Sequence, residues 1–143
     1  MTQTAADFSS FRPRVLHSAF HVEDIDRATA FYVGVLGMRE QLRFELPNGE
    51  WECVLSFVGS DGKPTGSGVI LMWSPGASKP IGHAETGYSR LVVNVSDLDA
   101  AVGLLEQRNV AIVMPPTDAP FNMRFAMCKD PDGYVIELLQ LGR

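Results

Sequence analysis

Residues 15–26, with the sequence VLHSAFHVEDID, are repeated as residues 88–99, with the sequence YSRLVVNVSDLD, at an offset of 73 positions. Each copy begins as an apolar strand, passes through a short acidic turn and continues into an amphipathic helix. Asp24 of the first copy is matched by Asp97, so an acid lies at the start of each predicted helix, where free backbone N–H groups favour it. The repeat predicts two similar half-sheets and a site lined by equivalent positions of both.

The segments that follow each copy predict the same order of elements, β-α-β-β-β. In module one we expect strands over 15–22, 38–46, 51–59 and 68–74, and a helix from Glu23 that Gly37 terminates. In module two we expect strands over 88–95, 110–114, 123–129 and 134–141, and a helix over 97–108. The fold class is therefore α+β, with two βαβββ modules whose half-sheets are expected to meet at the site.

The domain boundaries follow from the same pattern. Residues 1–13 are predicted to be a flexible tail, and residues 14–141 a single domain, as 143 residues suit one core. Module one spans 14–74, a Pro- and Gly-containing linker spans 75–86, and module two spans 87–141. The loops over 60–67 and 115–122 are expected to shape the mouth of the cleft.

Composition and charge exclude several classes of function. The net charge is −5 and the sequence pI about 5.1, without a run of Lys or Arg, which argues against nucleic acid as a partner. No apolar run approaches the roughly 20 residues that span a bilayer, and residues 1–14 lack a secretion signal. We therefore expect a cytoplasmic protein without a membrane partner. Cys53 and Cys128 are isolated, which predicts two buried free thiols.

Three polar residues interrupt apolar strands. Glu137 lies within the run YVIELL, where a buried carboxylate needs a partner, although a solvated edge strand would also accept it. His17 lies in the first strand, where a hydrogen-bonded core histidine is the common alternative. The repeat matches His17 with Arg90, a guanidinium that needs an anion such as Glu137 unless it extends to the surface. At an offset of 66 positions, Glu137 is matched by Leu71.

Other residues are candidates for contact with a ligand. His21 shares a strand face with His17 but lies about 13 Å away, so a regular strand cannot direct both to one metal ion. About half of the aromatic and Met side chains of the strands are expected to be ordinary core residues. The candidate ligand-binding residues are His21, Trp51, Trp73, Phe121 and Phe125.

The chain resembles the vicinal oxygen chelate superfamily. The resemblance rests on the opening VLHSAFHV at 15–22, the helix ATAFYVGVLGM at 28–38 and the ending DPDGYVIEL at 130–138, and it covers about residues 14–141. That superfamily includes glyoxalase I, methylmalonyl-CoA epimerase, fosfomycin-resistance thiol transferases, extradiol dioxygenases and bleomycin-resistance binding proteins. The resemblance implies that the two βαβββ modules form a cupped mixed sheet around one cleft and, commonly, that the protein is a homodimer.

The resemblance also implies four positions for metal ligands, which are His17, Leu71, Arg90 and Glu137 in this chain. His17 and Glu137 could bind a metal, whereas Leu71 and Arg90 could not. Catalytic metal sites usually have three protein ligands, and a fixed cation repels a second one. We therefore predict no resident metal cofactor and a polar cluster of His17, Arg90 and Glu137. The alternative is a divalent Zn, Ni, Mn or Fe ion held by His17 and Glu137.

Three functions remain open from the sequence. The first is a metal-independent enzyme in which Arg90 holds a substrate oxygen and His17 or Glu137 moves a proton, as in isomerase or lyase chemistry next to a carbonyl. The second is a non-catalytic protein that sequesters a small molecule, as bleomycin-resistance proteins do. The third is a metal enzyme, like a lactoylglutathione lyase or a dioxygenase, that recruits another ligand such as His21, Glu52 or His83.

Overall fold

The computed structural model describes residues 7–13, 15–76 and 89–142. Module one contains β1 (His17–His21), α1 (Ile25–Gly34), β2 (Arg39–Glu45), β3 (Trp51–Val58) and β4 (Pro64–Trp73). Module two contains β5 (Leu91–Asn94), α2 (Leu98–Gln107), β6 (Ile112–Ala119), β7 (Met123–Lys129) and β8 (Val135–Leu141). Both modules therefore have the predicted order β-α-β-β-β.

Each module forms one four-stranded mixed sheet. The strand orders are β1-β4-β3-β2 and β5-β8-β7-β6. The first strand pairs in parallel with the last one, and the other pairs are antiparallel. This arrangement confirms the α+β class and the two-module organisation. It leaves β1 and β5 as edge strands of their sheets. Strand β1 begins with His17, and Arg90 directly precedes β5.

Equivalent acids begin the two helices. The Asp24 carboxylate accepts hydrogen bonds from the backbone N–H groups of Asp26 and Arg27, and the Asp97 carboxylate accepts one from Ala100. These bonds satisfy donors that have no partner inside the helix. After the helices the chain turns through left-handed residues, Gly37 at φ +80° and Asn109 at φ +58°.

Two predicted boundaries were wrong. Strand β4 begins at Pro64, so the expected loop over 60–67 is shortened to a turn. Strand β6 continues through Pro115 and Pro116 to Ala119, with register shifts on either side of Met114. An edge strand tolerates proline because one of its sides lacks a hydrogen-bonding neighbour. The predicted tail contains a short 3₁₀ helix over Phe8–Phe11, and most of the linker lies outside the described residues.

The helices and the facing sides of both sheets enclose one apolar core. Tyr32, Leu71, Leu98 and Ile136 are fully buried in it, and residues of both modules contribute. The opposite side of each sheet, which we call the outer face, carries alternate residues of the same strands. Neither α1 nor α2 is long enough to cross a membrane, and no other helix in the described part of the chain could do so.

Candidate functional site

Arg90 and Glu137 form an ion pair on the outer face of module two. Arg90 Nε donates to Glu137 Oε2, and Arg90 Nη1 donates to Ser89 Oγ at 3.2 Å. The Arg90 side chain is 39% exposed and that of Glu137 only 11% exposed. The sequence-based expectation that Glu137 is the anion for Arg90 is confirmed.

The position of Glu137 explains why it needs this partner. It lies in β8 directly opposite Met127 of β7 and Val92 of β5. A carboxylate among such apolar neighbours loses most of its hydration, and this loss is costly unless a cation or hydrogen-bond donors replace the water. Arg90 supplies both the charge and the donors from the start of the neighbouring edge strand.

His17 lies on the outer face of module one and has a different partner. Its Nε2 is 3.2 Å from Ser56 Oγ, across β4. Ser56 is buried, and sequence analysis missed it, although a serine inside the run CVLSFV of β3 is a visible signal. Within the described part of the chain, no hydrogen bond or ion pair joins His17 to Arg90 or Glu137. One copy of the chain therefore brings together two members of the predicted cluster, and the third lies on the other module.

The structural register corrects the counterpart of Glu137. His21 pairs with Met72, and its repeat mate Asn94 pairs with Leu139, so the last strands correspond at an offset of 67 rather than 66. Glu137 is therefore matched by Ile70. Leu71 is fully buried and faces the helix, since it lies opposite Cys53, which contacts Thr29 of α1. The sequence-based assignment of Leu71 to the site was wrong by one residue, which reverses the strand face.

The other candidate residues are dispersed. His21 is exposed, and its backbone oxygen accepts a hydrogen bond from Tyr134 Oη at 2.7 Å. Trp51 and Trp73 lie opposite each other at the ends of β3 and β4, both half-buried. Phe125 is half-buried on the outer face of module two, and Phe121 is 90% exposed in the turn before β7. His83 lies outside the described residues.

The two cysteines are poor nucleophiles. Cys53 and Cys128 are buried free thiols, as predicted. Desolvation raises the pKa of Cys128 to about 11 and is also the largest cause of the raised pKa of Cys53. A thiol with a raised pKa is mostly protonated at neutral pH, and the protonated form is unreactive.

The described donors on the outer faces of one copy are not arranged to hold a divalent metal. Among the described residues, no three His, Cys, Asp or Glu side chains are grouped so that they could hold a metal ion. Neither Leu71, the position implied by the resemblance, nor Ile70, the position given by the register, has a side-chain donor atom, and Arg90 places a guanidinium against Glu137. A cation at Glu137 would have to displace Arg90 and would be repelled by it.

Comparison with known proteins identifies the class of protein to which this fold and this site belong. The model of the Glyoxalase/Bleomycin resistance protein/Dioxygenase superfamily matches residues 14–138. The chain belongs to this superfamily.

One curated protein and two solved structures illustrate the similarity to individual members. The chain is 32% identical over 129 residues to a probable lactoylglutathione lyase of Vibrio parahaemolyticus, covering 89% of this chain and 90% of that protein. It is similar to the trypanothione-dependent glyoxalase I of Leishmania major, with a TM-score of 0.72, 27% identity and coverage of 90% and 86%. It is also similar to TnmS3, an antibiotic binding protein from Streptomyces sp. CB03234, with a TM-score of 0.64, 26% identity and coverage of 98% and 100%. The names of the first two agree with the expectation of a glyoxalase-like lyase.

Proposed function

We propose that this protein is a glyoxalase-like enzyme that acts without a resident metal on a small carbonyl- or carboxylate-bearing molecule. The Arg90–Glu137 ion pair is the observation that carries the proposal. It places a permanent positive charge at a position where metal enzymes of the family are expected to have a ligand. A guanidinium fixed beside a substrate oxygen stabilises negative charge that develops there during the reaction.

The roles of the other site residues follow from their chemistry. His17 and Glu137 each offer an atom that can accept or donate a proton, which isomerase or lyase chemistry next to a carbonyl requires. Arg90 holds the oxygen of the substrate, and its two donor edges allow it to do so while it stays close to Glu137. Lactoylglutathione is the first substrate to test, because several relatives are named for it.

We propose further that a second copy of the chain completes the site. His17 and Arg90 lie on the outer faces of different modules, and these faces also carry large exposed apolar residues. Leu42 is 55% exposed on module one, and Val92 and Leu141 are 50% and 61% exposed on module two. Apolar groups of this size favour coverage by another surface. A homodimer that joins module one of one copy to module two of the other covers them and brings His17 to Arg90.

The metal-independent proposal is tested by turnover of chelator-treated protein. We expect no loss of activity after chelation and no tightly held metal in elemental analysis. Arg90→Ala is expected to lower kcat/KM by at least about 100-fold with an unchanged fold, as for the loss of one preorganised donor. Arg124→Ala is the matched control, because Arg124 pairs with Asp99 in the same module, away from Glu137. One equivalent of bound metal that turnover requires would refute the proposal.

Complementation tests the shared site. The variants His17→Ala and Arg90→Ala are each expected to lose most of their turnover. In mixed dimers, one of the two sites regains both residues if the site forms between chains, so mixing and re-equilibrating the two variants restores part of the turnover. A mixture that stays inactive, although mass spectrometry shows mixed dimers, contradicts the shared site.

A non-catalytic binding function is the second candidate. It is favoured by the similarity to the antibiotic binding protein over nearly the full length of both chains. The outer face of module two supplies Met123, Phe125 and Met127, which are half-buried and suit an apolar ligand. Ligands that raise Tm but are recovered chemically unchanged would favour this function over catalysis.

A further inference from the structure

A cavity of about 450 Å³ lies between the modules, lined mainly by residues of the helix-facing side. Its walls are mostly apolar. Module one contributes Leu36, Phe57 and Ser67, and module two contributes Val93, Leu104 and Leu105. The volume lies in the range of natural small-molecule pockets, roughly 300–1,000 Å³. His17, Arg90 and Glu137 do not line it, so it is separate from the proposed active site.

The internal repeat gives each residue of the cavity wall an equivalent residue in the other module. Equivalent residues of the two modules are 73 positions apart in the first strand, the helix and β3, and 67 positions apart in the last strand. The mate of Ser67 in the last strand is therefore Tyr134, and the mate of Val93 in the first strand is Phe20. The mate of Leu105 is Tyr32. These three aromatic residues lie together on the opposite side of the seam between the modules. The ring centroids of Phe20 and Tyr134 are 4.9 Å apart, and those of Phe20 and Tyr32 are 5.9 Å apart.

That opposite side of the seam is filled and hydrogen-bonded. Tyr134 Oη donates to the His21 backbone oxygen at 2.7 Å, and Tyr32 Oη donates to Asp130 Oδ2 at 2.8 Å. On the cavity side the corresponding residues are smaller. Ser67 stands in place of Tyr134, Val93 in place of Phe20 and Leu105 in place of Tyr32. The exception is Phe57, the mate of Asp130. The cavity is therefore the volume that these rings occupy in the other half, and its walls lack the contacts that the rings provide.

We propose that this cavity binds a small aromatic molecule, whose ring occupies the position that Tyr134 fills on the other side of the seam. A phenol fits this description best. The apolar walls of Leu36, Val93 and Leu105 suit the ring, and the hydroxyl of Ser67 at the rim offers a hydrogen bond to the phenolic oxygen. Ser67 belongs to the same face of β4 as Val69 and Leu71, but it is exposed, and its hydroxyl lies 3.3 Å from Thr65 Oγ1, so it borders the open side of the cavity.

The first test locates a probe in the unmodified protein. With 4-ethylphenol and methyl-labelled protein, we expect nuclear Overhauser contacts from the ring to the methyl groups of Val93, Leu104 and Leu105, and an increase in Tm on saturation. Contacts only to outer-face residues that do not line the cavity, such as Leu139 or Leu141, overturn the proposal. Contacts from residues 77–88 to the cavity methyl groups in the free protein, without binding of the probe, also overturn it.

The second test fills the cavity from within. Ser67→Tyr repeats the Tyr134 arrangement, and we expect it to weaken 4-ethylphenol binding by at least about 10-fold and to raise Tm. Val113→Tyr is the matched control, since Val113 is an exposed strand residue that does not line the cavity, and its affinity should equal that of the wild type. Arg90→Ala should also keep the affinity, which separates this site from the proposed active site. Equal binding by Ser67→Tyr and the wild type contradicts the proposal.

Discussion

The two modules share the order of their helices and strands, but equivalent positions in them carry different side chains. Both begin their helix with an aspartate, and both use the same strand order. At the seam, however, module two presents Tyr134 where module one presents Ser67 and leaves a cavity. On the outer faces, Glu137 pairs with Arg90, whereas its mate Ile70 has no charge. The comparison shows that the two modules share helix capping and strand pairing but differ in side-chain chemistry at equivalent positions.

The outer faces differ in a way that bears on chemistry. His17 is bound to a neutral serine hydroxyl, and Arg90, its mate, is bound to a carboxylate. A symmetrical pair of metal half-sites would require similar donors on both faces. The observed asymmetry instead places an imidazole beside a hydroxyl on one face and an ion pair on the other.

The largest expected loss of stability tests whether Ile70 or Leu71 is the counterpart of Glu137 in module one. Leu71→Glu places a carboxylate in the fully buried, helix-facing core, and we expect it to lower the free energy of unfolding by at least about 4 kcal/mol. Ile70→Glu directs the same group to the outer face and should cost far less. Urea denaturation of both variants is the measurement. Equal losses would show that the offset of 67 is incorrect.

The next effect concerns a close approach of strands in module one. A Cβ at Gly68 would lie 1.9 Å from the backbone oxygen of Leu55, whereas the mate of Gly68 in module two is Val135. We expect Gly68→Ala to cost about 3 kcal/mol, because backbone must move to accept the methyl group. Gly103→Ala, in α2 with nothing within 4 Å, is the control and should stabilise by about 0.5–1 kcal/mol. Similar Tm changes for both would contradict this explanation.

Tyr134→Ser converts the filled side of the seam into a copy of the cavity side. It removes the ring contact with Phe20 and the hydrogen bond to His21. Because Tyr134 is only half-buried, we expect a loss of about 2–3 kcal/mol, slightly less than for a fully buried ring. Thermal unfolding followed by circular dichroism gives the value. A variant as stable as the wild type would show that the ring is not part of the seam packing.

The smallest effect is a pH dependence at Asp130, the mate of Phe57. Desolvation is the largest cause of the raised pKa of Asp130, and it outweighs the hydrogen bonds from Tyr32 and the backbone N–H group of Tyr134. A carboxyl whose pKa is higher in the folded state contributes stability at low pH, and this contribution is lost as pH rises through the folded-state pKa.

The wild type should therefore lose stability relative to Asp130→Asn as pH rises from the ordinary carboxyl range through the folded-state pKa of Asp130. Urea denaturation of both proteins across this pH range is the measurement. A relative stability that grows with pH would mean that the pKa is lowered instead.

The sequence determined the fold class because local patterns encode it. The repeated acidic turns, the apolar helix stripes and the turn signals predicted both modules, their order and the buried thiols without reference to long-range contacts. The family resemblance implied a mixed sheet, but the strand order within each sheet was not predicted and came from the structure. Boundaries were less well determined at Pro64 and Pro115, since a proline reads as a loop signal, and only an edge position or a strand start allows it to remain in a sheet.

Side-chain partners were decided by the tertiary structure. The pairing of Arg90 with Glu137 could be expected from charge alone, whereas the bond between His17 and Ser56 depends on the register of β1, β4 and β3. The assignment of Leu71 failed because a shift of one residue in a loop is invisible in sequence, yet it moves a side chain to the other face of the strand. The cavity at the seam was likewise unpredictable, since it exists only where two modules meet and one of them lacks the ring that fills the equivalent space in the other.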